Sequence, residues 1–138
     1  MAMNRTNKKR KRMKRGDIVW VDLGQHPDSH IQSGERPCVI VSTDRSKGDV
    51  FTVLPGTTKE EKEGFPVHVT IRQKDVKGRL PKKTIFMAEQ LVTVDVKSII
   101  RKMGCVDETS ENMTKIDMVL LKNLELMKYV KVGGSFES

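Results

Sequence analysis

The side chains able to do chemistry are few, and none of them completes a site alone. His26 and His30 are separated by three residues, but a zinc site needs three or four well-placed ligands and nothing nearby completes the set. Cys38 and Cys105 lie far apart, and a single cysteine pair is no disulfide framework, so free thiols in a reducing compartment are expected. The chain has no GxxxxGK[ST] phosphate loop and no GxSxG elbow, which leaves nucleotide hydrolysis and serine esterase chemistry without support. No metal and no other cofactor is expected. Arg36-Pro37 follows a loop, and Thr57-Thr58 follows Pro55-Gly56. Taken alone, Arg36 is an ordinary surface arginine and either threonine is a strand terminator making a local side-chain bond.

These groups are strung between short apolar runs. Ile18 to Val21 with Leu23, the run CVIVS beginning at Cys38, and Val50 to Leu54 are the first three strand candidates. Residues 24–35 between the first two are too rich in Gly, Pro, Ser and Asp for regular structure, and the loop is long enough to be functional. PVHVTI, with Val67, Val69 and Ile71 alternating, suits a half-buried strand, and residues 84–88 and 91–94 continue the series. So many short strands predict a mainly β fold, a small barrel or sandwich. Met113, Ile116, Leu120, Leu124 and Met127 then recur at helical spacing, with Ser110 as N-cap and Glu111 in the first turn. This Met-containing stripe is core packing rather than a cofactor site. Gly133 and Gly134 lead into a flexible C-terminus over residues 133–138.

The formal charge is +8, but its distribution says more than its size. Residues 1–15 hold eight cations and no acid, and without them 18 Lys and Arg balance 18 Asp and Glu. The tail, residues 1–15, is therefore expected to be disordered when free, and the domain to span residues 16–132. Binding of a polyanion must rest on local clustering in the body or on the tail as a separate arm. No secretory leader is expected, and no apolar run approaches the roughly 18 residues of a membrane span. The expected location is cytoplasmic.

The ordered set of motifs carries more than any one of them. KRGDIVWVDL from Lys14, the loop closing on Gly34-Glu35-Arg36-Pro37, CVIVS, Leu54-Pro55-Gly56-Thr57-Thr58, GFPVHVTI, Ala88-Glu89-Gln90-Leu91 with Thr93-Val94-Asp95, and a C-terminal helix follow one another over about residues 14–128. In that order they resemble the PemK/MazF toxins of toxin–antitoxin systems. The resemblance implies a small SH3-like barrel (CcdB/PemK-like) with an added C-terminal amphipathic helix, a homodimer, and an endoribonuclease that cuts single-stranded messenger RNA at short sequences without metal. It also implies a cognate antitoxin of the MazE type, whose extended tail occupies the RNA groove.

In that family's chemistry the 2′-hydroxyl attacks the adjacent phosphate, giving a cyclic phosphate and a 5′-hydroxyl. The resemblance places Arg36 as the fixed cation that stabilises charge building on the phosphoryl oxygens, with Pro37 setting its backbone. Arg36 is a poor base because it does not give up its proton. Thr57 matches the hydroxyl residue beside that arginine, suited to orienting the phosphate, with Thr58 next to it. His30 in the loop and Glu89 before Gln90 are two alternatives for the proton acceptor, and each also reads as a solvated or structural group; the resemblance places Gln32 and Gln90 beside them as RNA-binding or auxiliary groups. The loop departs from the family text, with Ile31 in place of the customary glutamate while Gln32 is kept, and Met87 stands where some relatives have arginine. Two other readings stay open: a noncatalytic small-barrel module that binds nucleic acid or protein, and a gyrase-directed toxin.

Overall fold

The computed structural model describes residues 13–43 and 48–130. Within them the strands are β1 (Asp17–Asp22), β2 (Glu35–Ile40), β3 (Val50–Thr57), β4 (His68–Ile71), β5 (Lys77–Gly78), β6 (Thr84–Met87), β7 (Val92–Asp95) and β8 (Ile99–Cys105), and the helix is α1 (Glu111–Asn123). They form a curled antiparallel sheet in the order β4-β6-β3-β2-β1-β8-β5, with β7 also paired to β3. This is the expected mainly β architecture closed by one helix. Of the disorder expected over residues 1–15, the part at residues 1–12 lies outside the described residues, as does the flexible end expected of residues 133–138.

The CVIVS run carries no polar alternation because its strand is buried on both faces. Val39 joins Ile18, Leu54, Phe86, Met113 and Ile116 in one core, while Cys38 and Ile40 join Val19, Val21, Phe51 and Val53 in the other. Burial on two sides removes the period-2 signal that marks a half-exposed strand. It also raises the Cys38 thiol from its ordinary 9.0 to about 12, because desolvation disfavours the thiolate. The folded state thus holds the Cys38 proton longer than the unfolded chain does. The stability this contributes is intact below 9.0 and is lost as pH climbs from there toward about 12. Alkaline unfolding followed by circular dichroism should begin at higher pH in Cys38→Val than in the parent.

β3 is where the sheet turns. Val50 to Val53 pair with β7, whereas Gly56 and Thr57 pair with β6. The handover falls at Leu54-Pro55, and Pro55 brings no N–H to a ladder that changes partner there. β8 and β5 fall where the sequence shows no alternation. Gly104 explains how they pair: a Cβ there would sit 2.3 Å from the Lys77 carbonyl oxygen, so only glycine admits this approach.

α1 starts as expected, with the Ser110 hydroxyl accepting from the Met113 N–H at 3.3 Å. Met113, Ile116 and Val119 face the core. The predicted stripe runs past the real end of the helix: Leu124 is its C-cap and is 50% exposed, and Met127 begins a separate turn. Glu125, at φ 56°, marks the reversal of the chain. Packing also extends to residues before 16. Met13 is buried in the second core, and Arg15 pairs with Asp117 at 2.7 Å and Glu108 at 3.4 Å.

Candidate active-site groove

Arg36 is the second residue of β2, opposite Val21 of β1. On the other side β2 pairs with β3 as far as Cys38 and Pro55, and beyond that pair Arg36 Nη1 reaches the carbonyl of Gly56, the residue before Thr57 at the end of β3. The end of β3 and the start of β2 thus bring together two groups that are well separated in sequence.

The guanidinium is held on three sides. Its Nε–H donates to the Ser33 carbonyl at 3.0 Å, and Nη1 donates to Gly56 O at 3.2 Å and to Gln32 Oε1. Three of the five donors of an arginine are thereby spent on fixing its direction, which leaves the two on Nη2. Nη2 is thus the nitrogen of this braced group that has no hydrogen bond among the described residues. Burial, the larger cause, draws Arg36 below its ordinary value, with Cys38 acting the other way. A guanidinium stays protonated all the same, so the cation is permanent.

Thr57 is 9% exposed, and its Oγ1 accepts from the Lys59 N–H at 3.3 Å. That is the local bond expected of a strand terminator. The hydroxyl hydrogen has no acceptor among the described residues, so the local bond leaves the hydroxyl able to donate.

Both residues line a groove of about 480 Å³, together with Trp20, Glu35, Pro37, Gly56, Thr58, Lys59, Lys82 and Arg101 among others. Four of these are cations and one is an acid. None of Lys59, Lys82 and Arg101 is ion-paired among the described residues. The near-neutral body therefore has its local positive cluster here. Sequence reading misses Trp20, Lys59, Lys82 and Arg101, because no pattern joins residues on β1, β8 and two loops.

The loop before β2 is tied down by Gln90. Its side-chain Oε1 accepts from the Gln32 N–H and its Nε2 donates to the His30 carbonyl, each at 3.1 Å. Gln32 in turn accepts from Arg36, so Gln90 supports the guanidinium at one remove. The His30 side chain is exposed, and His26 Nε2 bonds the Leu23 carbonyl at 3.0 Å. Glu89 is turned elsewhere. Its oxygens lie 2.9 and 2.8 Å from Nε2 of the buried His68, whose Nδ1–H donates to Lys62 O at 2.6 Å. Phe65 stacks on that imidazole at 4.9 Å. Glu89 does not line the groove, and its position is explained by this contact. Among the described residues, no group of three or more His, Cys, Asp or Glu is arranged to hold a metal ion, and no helix is long and apolar enough to cross a membrane.

A family model described as PemK-like, MazF-like toxin of type II toxin–antitoxin system matches residues 14–124. Among solved structures, an endoribonuclease in complex with its cognate antitoxin from a mycobacterial species is 23% identical, with a TM-score of 0.64 over 83% of this chain and 96% of that one. MazF from Deinococcus radiodurans is 19% identical, with a TM-score of 0.65 over 82% and 96%. The Mycobacterium tuberculosis toxin MazF-mt6 is 18% identical, with a TM-score of 0.61 over 80% and 97%. These likenesses are of fold.

Proposed function

Because the chain belongs to the PemK-like, MazF-like toxin family of type II toxin–antitoxin systems, we propose that it is a metal-independent endoribonuclease acting on single-stranded RNA, with Arg36 and Thr57 at its reactive centre. The observation that carries this reading is the braced Arg36 guanidinium sharing a cation-rich groove with Thr57. The substrate's 2′-hydroxyl releases its proton as its oxygen bonds to phosphorus, the bond from phosphorus to the 5′-oxygen breaks, and the leaving oxygen takes up a proton, so the transfer is proton-neutral overall. Negative charge builds on the phosphoryl oxygens in between. Nη2 of Arg36 stabilises it, and the Thr57 O–H donates to a phosphoryl oxygen and fixes its orientation. Because the guanidinium is already held by Ser33, Gln32 and Gly56, little reorganisation accompanies the step.

The mycobacterial relative is solved with its cognate antitoxin. An antitoxin of the MazE type is the corresponding partner here, an acidic extended segment suiting the groove's cations, and a homodimer is the expected assembly. End-labelled RNA cut with and without EDTA tests the activity. Equal cleavage in both, leaving a cyclic phosphate and a 5′-hydroxyl, is expected. Bound but uncut RNA would favour a binding module, and loss of supercoiling with RNA intact would favour a gyrase-directed toxin.

The tail adds a separable term. Residues 1–12 carry six cations, and truncation should stop there because Met13 is core. If the tail is an RNA arm, its removal lowers the salt slope of RNA binding by about 0.7 for each phosphate it had neutralised. An unchanged slope in fluorescence anisotropy would mark the tail as incidental.

A further inference from the structure

Trp20 is the one tryptophan of the chain, and it is oriented from both ends. Its cross-strand neighbours are Pro37 on β2 and Arg101 on β8, and it lies between two register shifts in the β1–β8 pairing, irregularities that re-aim a side chain. The Arg101 guanidinium lies over the indole, 5.3 Å from its centroid, and the indole Nε1–H donates to Glu35 Oε1 at 2.9 Å. Ile18, two residues before Trp20, is 1% exposed in the helix-side core, whereas Trp20 is only partly buried and lines the groove. A large indole braced by a cation and a carboxylate, adjacent to Pro37 and so one residue from Arg36, is not needed to close either core.

We propose that Trp20, Arg101 and Glu35 form a nucleobase subsite beside the reactive centre, which stacks one base of the RNA and selects a base bearing an exocyclic amino group over uracil. This rests on the ribonuclease reading of the same groove. The aromatic and guanidinium planes give a base a π surface to stack on, and Arg101 keeps donors at its rim for the neighbouring phosphate. Glu35 supplies the selection. One of its oxygens already accepts from Trp20, and the other can only accept, so it favours the amino hydrogens of adenine, cytosine or guanine. Uracil has no amino group, and its one ring donor, N3–H, lies between two carbonyl oxygens that repel the carboxylate, so the same oxygen gains less there.

Because Trp20 is alone in its type, its fluorescence reads the subsite without cleavage. The probes are 2′-O-methyl heptamers of A, of C and of U, which cannot be cut. Oligo-A and oligo-C should quench Trp20 and bind about tenfold more tightly than oligo-U, the discrimination that one well-read base provides. Glu35→Gln keeps an acceptor for the indole N–H and adds a donor, so oligo-U should then bind within about threefold of oligo-C. In a cleavage assay on a random RNA pool, the parent should exclude U at one position of its recognised sequence, and Glu35→Gln should admit it. Binding by anisotropy with no Trp20 quenching, no binding at all, or unchanged base preference in Glu35→Gln would each overturn the subsite. So would complete loss of cleavage in a folded Glu35→Gln, which would make Glu35 a proton-transfer group instead. If the parent cuts RNA without quenching, the ribonuclease reading stands and the subsite falls. Quenching without cutting gives the reverse.

Discussion

Arg36→Ala should abolish RNA cleavage while the protein stays folded. The expected fall is about 10³-fold or more in the rate of the chemical step, the range for removing a braced cation from a developing phosphoryl charge. Arg36 belongs to neither apolar core, so its truncation leaves both intact. It does free the Ser33 and Gly56 carbonyls and the Gln32 amide oxygen, at a groove wall that water reaches. Circular dichroism and thermal unfolding should therefore show a folded protein. Arg36→Lys separates charge from direction. A lysine keeps a cation but cannot reach three fixed acceptors and still present a nitrogen outward. It should recover only part of the rate, with single-turnover kinetics as the readout. Full activity of Arg36→Ala would remove the reactive centre from this groove.

The legible parts of the fold are those in which a single segment carries its own signal. Ser110 announces the helix start because an N-cap is a local bond, present here at Met113 N. The helix end misleads for the complementary reason. Leu124 and Met127 keep helical spacing, but spacing does not reveal that Glu125 takes positive φ and stops the helix. β8 is illegible because Arg101 and Lys102 interrupt its apolar residues. Lys102 Nζ lies 3.3 Å from the buried Asp17 Oδ1, which otherwise has no hydrogen-bond partner, so this cation answers a charge on another strand.

The same distinction applies to the groove. Arg36 and Thr57 stand out through the order of motifs, and the bond from Arg36 to Gly56 O brings them to one groove. Gln32 and Gln90 read as auxiliary groups in the sequence, and their joint role as a brace emerges only through a hydrogen bond spanning 58 residues. Glu89 and His30 are proton-acceptor alternatives of equal standing on sequence. Geometry favours neither, because Glu89 is occupied by His68, a partner 21 residues away, and neither side chain lines the groove. Trp20 reads as one more apolar strand residue, since nothing near it in sequence announces Arg101 above its ring.

Gly56→Ala should cost both stability and activity, and the two effects have one cause. A Cβ at Gly56 would lie 2.5 Å from Thr84 Cγ2 and 3.0 Å from Phe86 Cε1. Neither neighbour yields easily: Thr84 is β-branched and 2% exposed, and Phe86 is fully buried in the core under the helix. Overpacking of this kind costs about 1–3 kcal/mol, a fall in midpoint of roughly 3–10 °C for a domain of this size. The cheapest relief is for the end of β3 to move away from β6. That end carries the Gly56 carbonyl holding Arg36 Nη1 and, one residue later, Thr57 itself. A shift of about 1 Å at a reacting group costs on the order of 10²-fold in rate. Cleavage measured well below the midpoint should therefore fall about a hundredfold in protein that is still folded. Thr84→Ser in the same chain removes the methyl that the new Cβ meets first. The double variant should regain part of both the midpoint and the rate. If stability returned without activity, the coupling of β3 to Arg36 through Gly56 would be wrong.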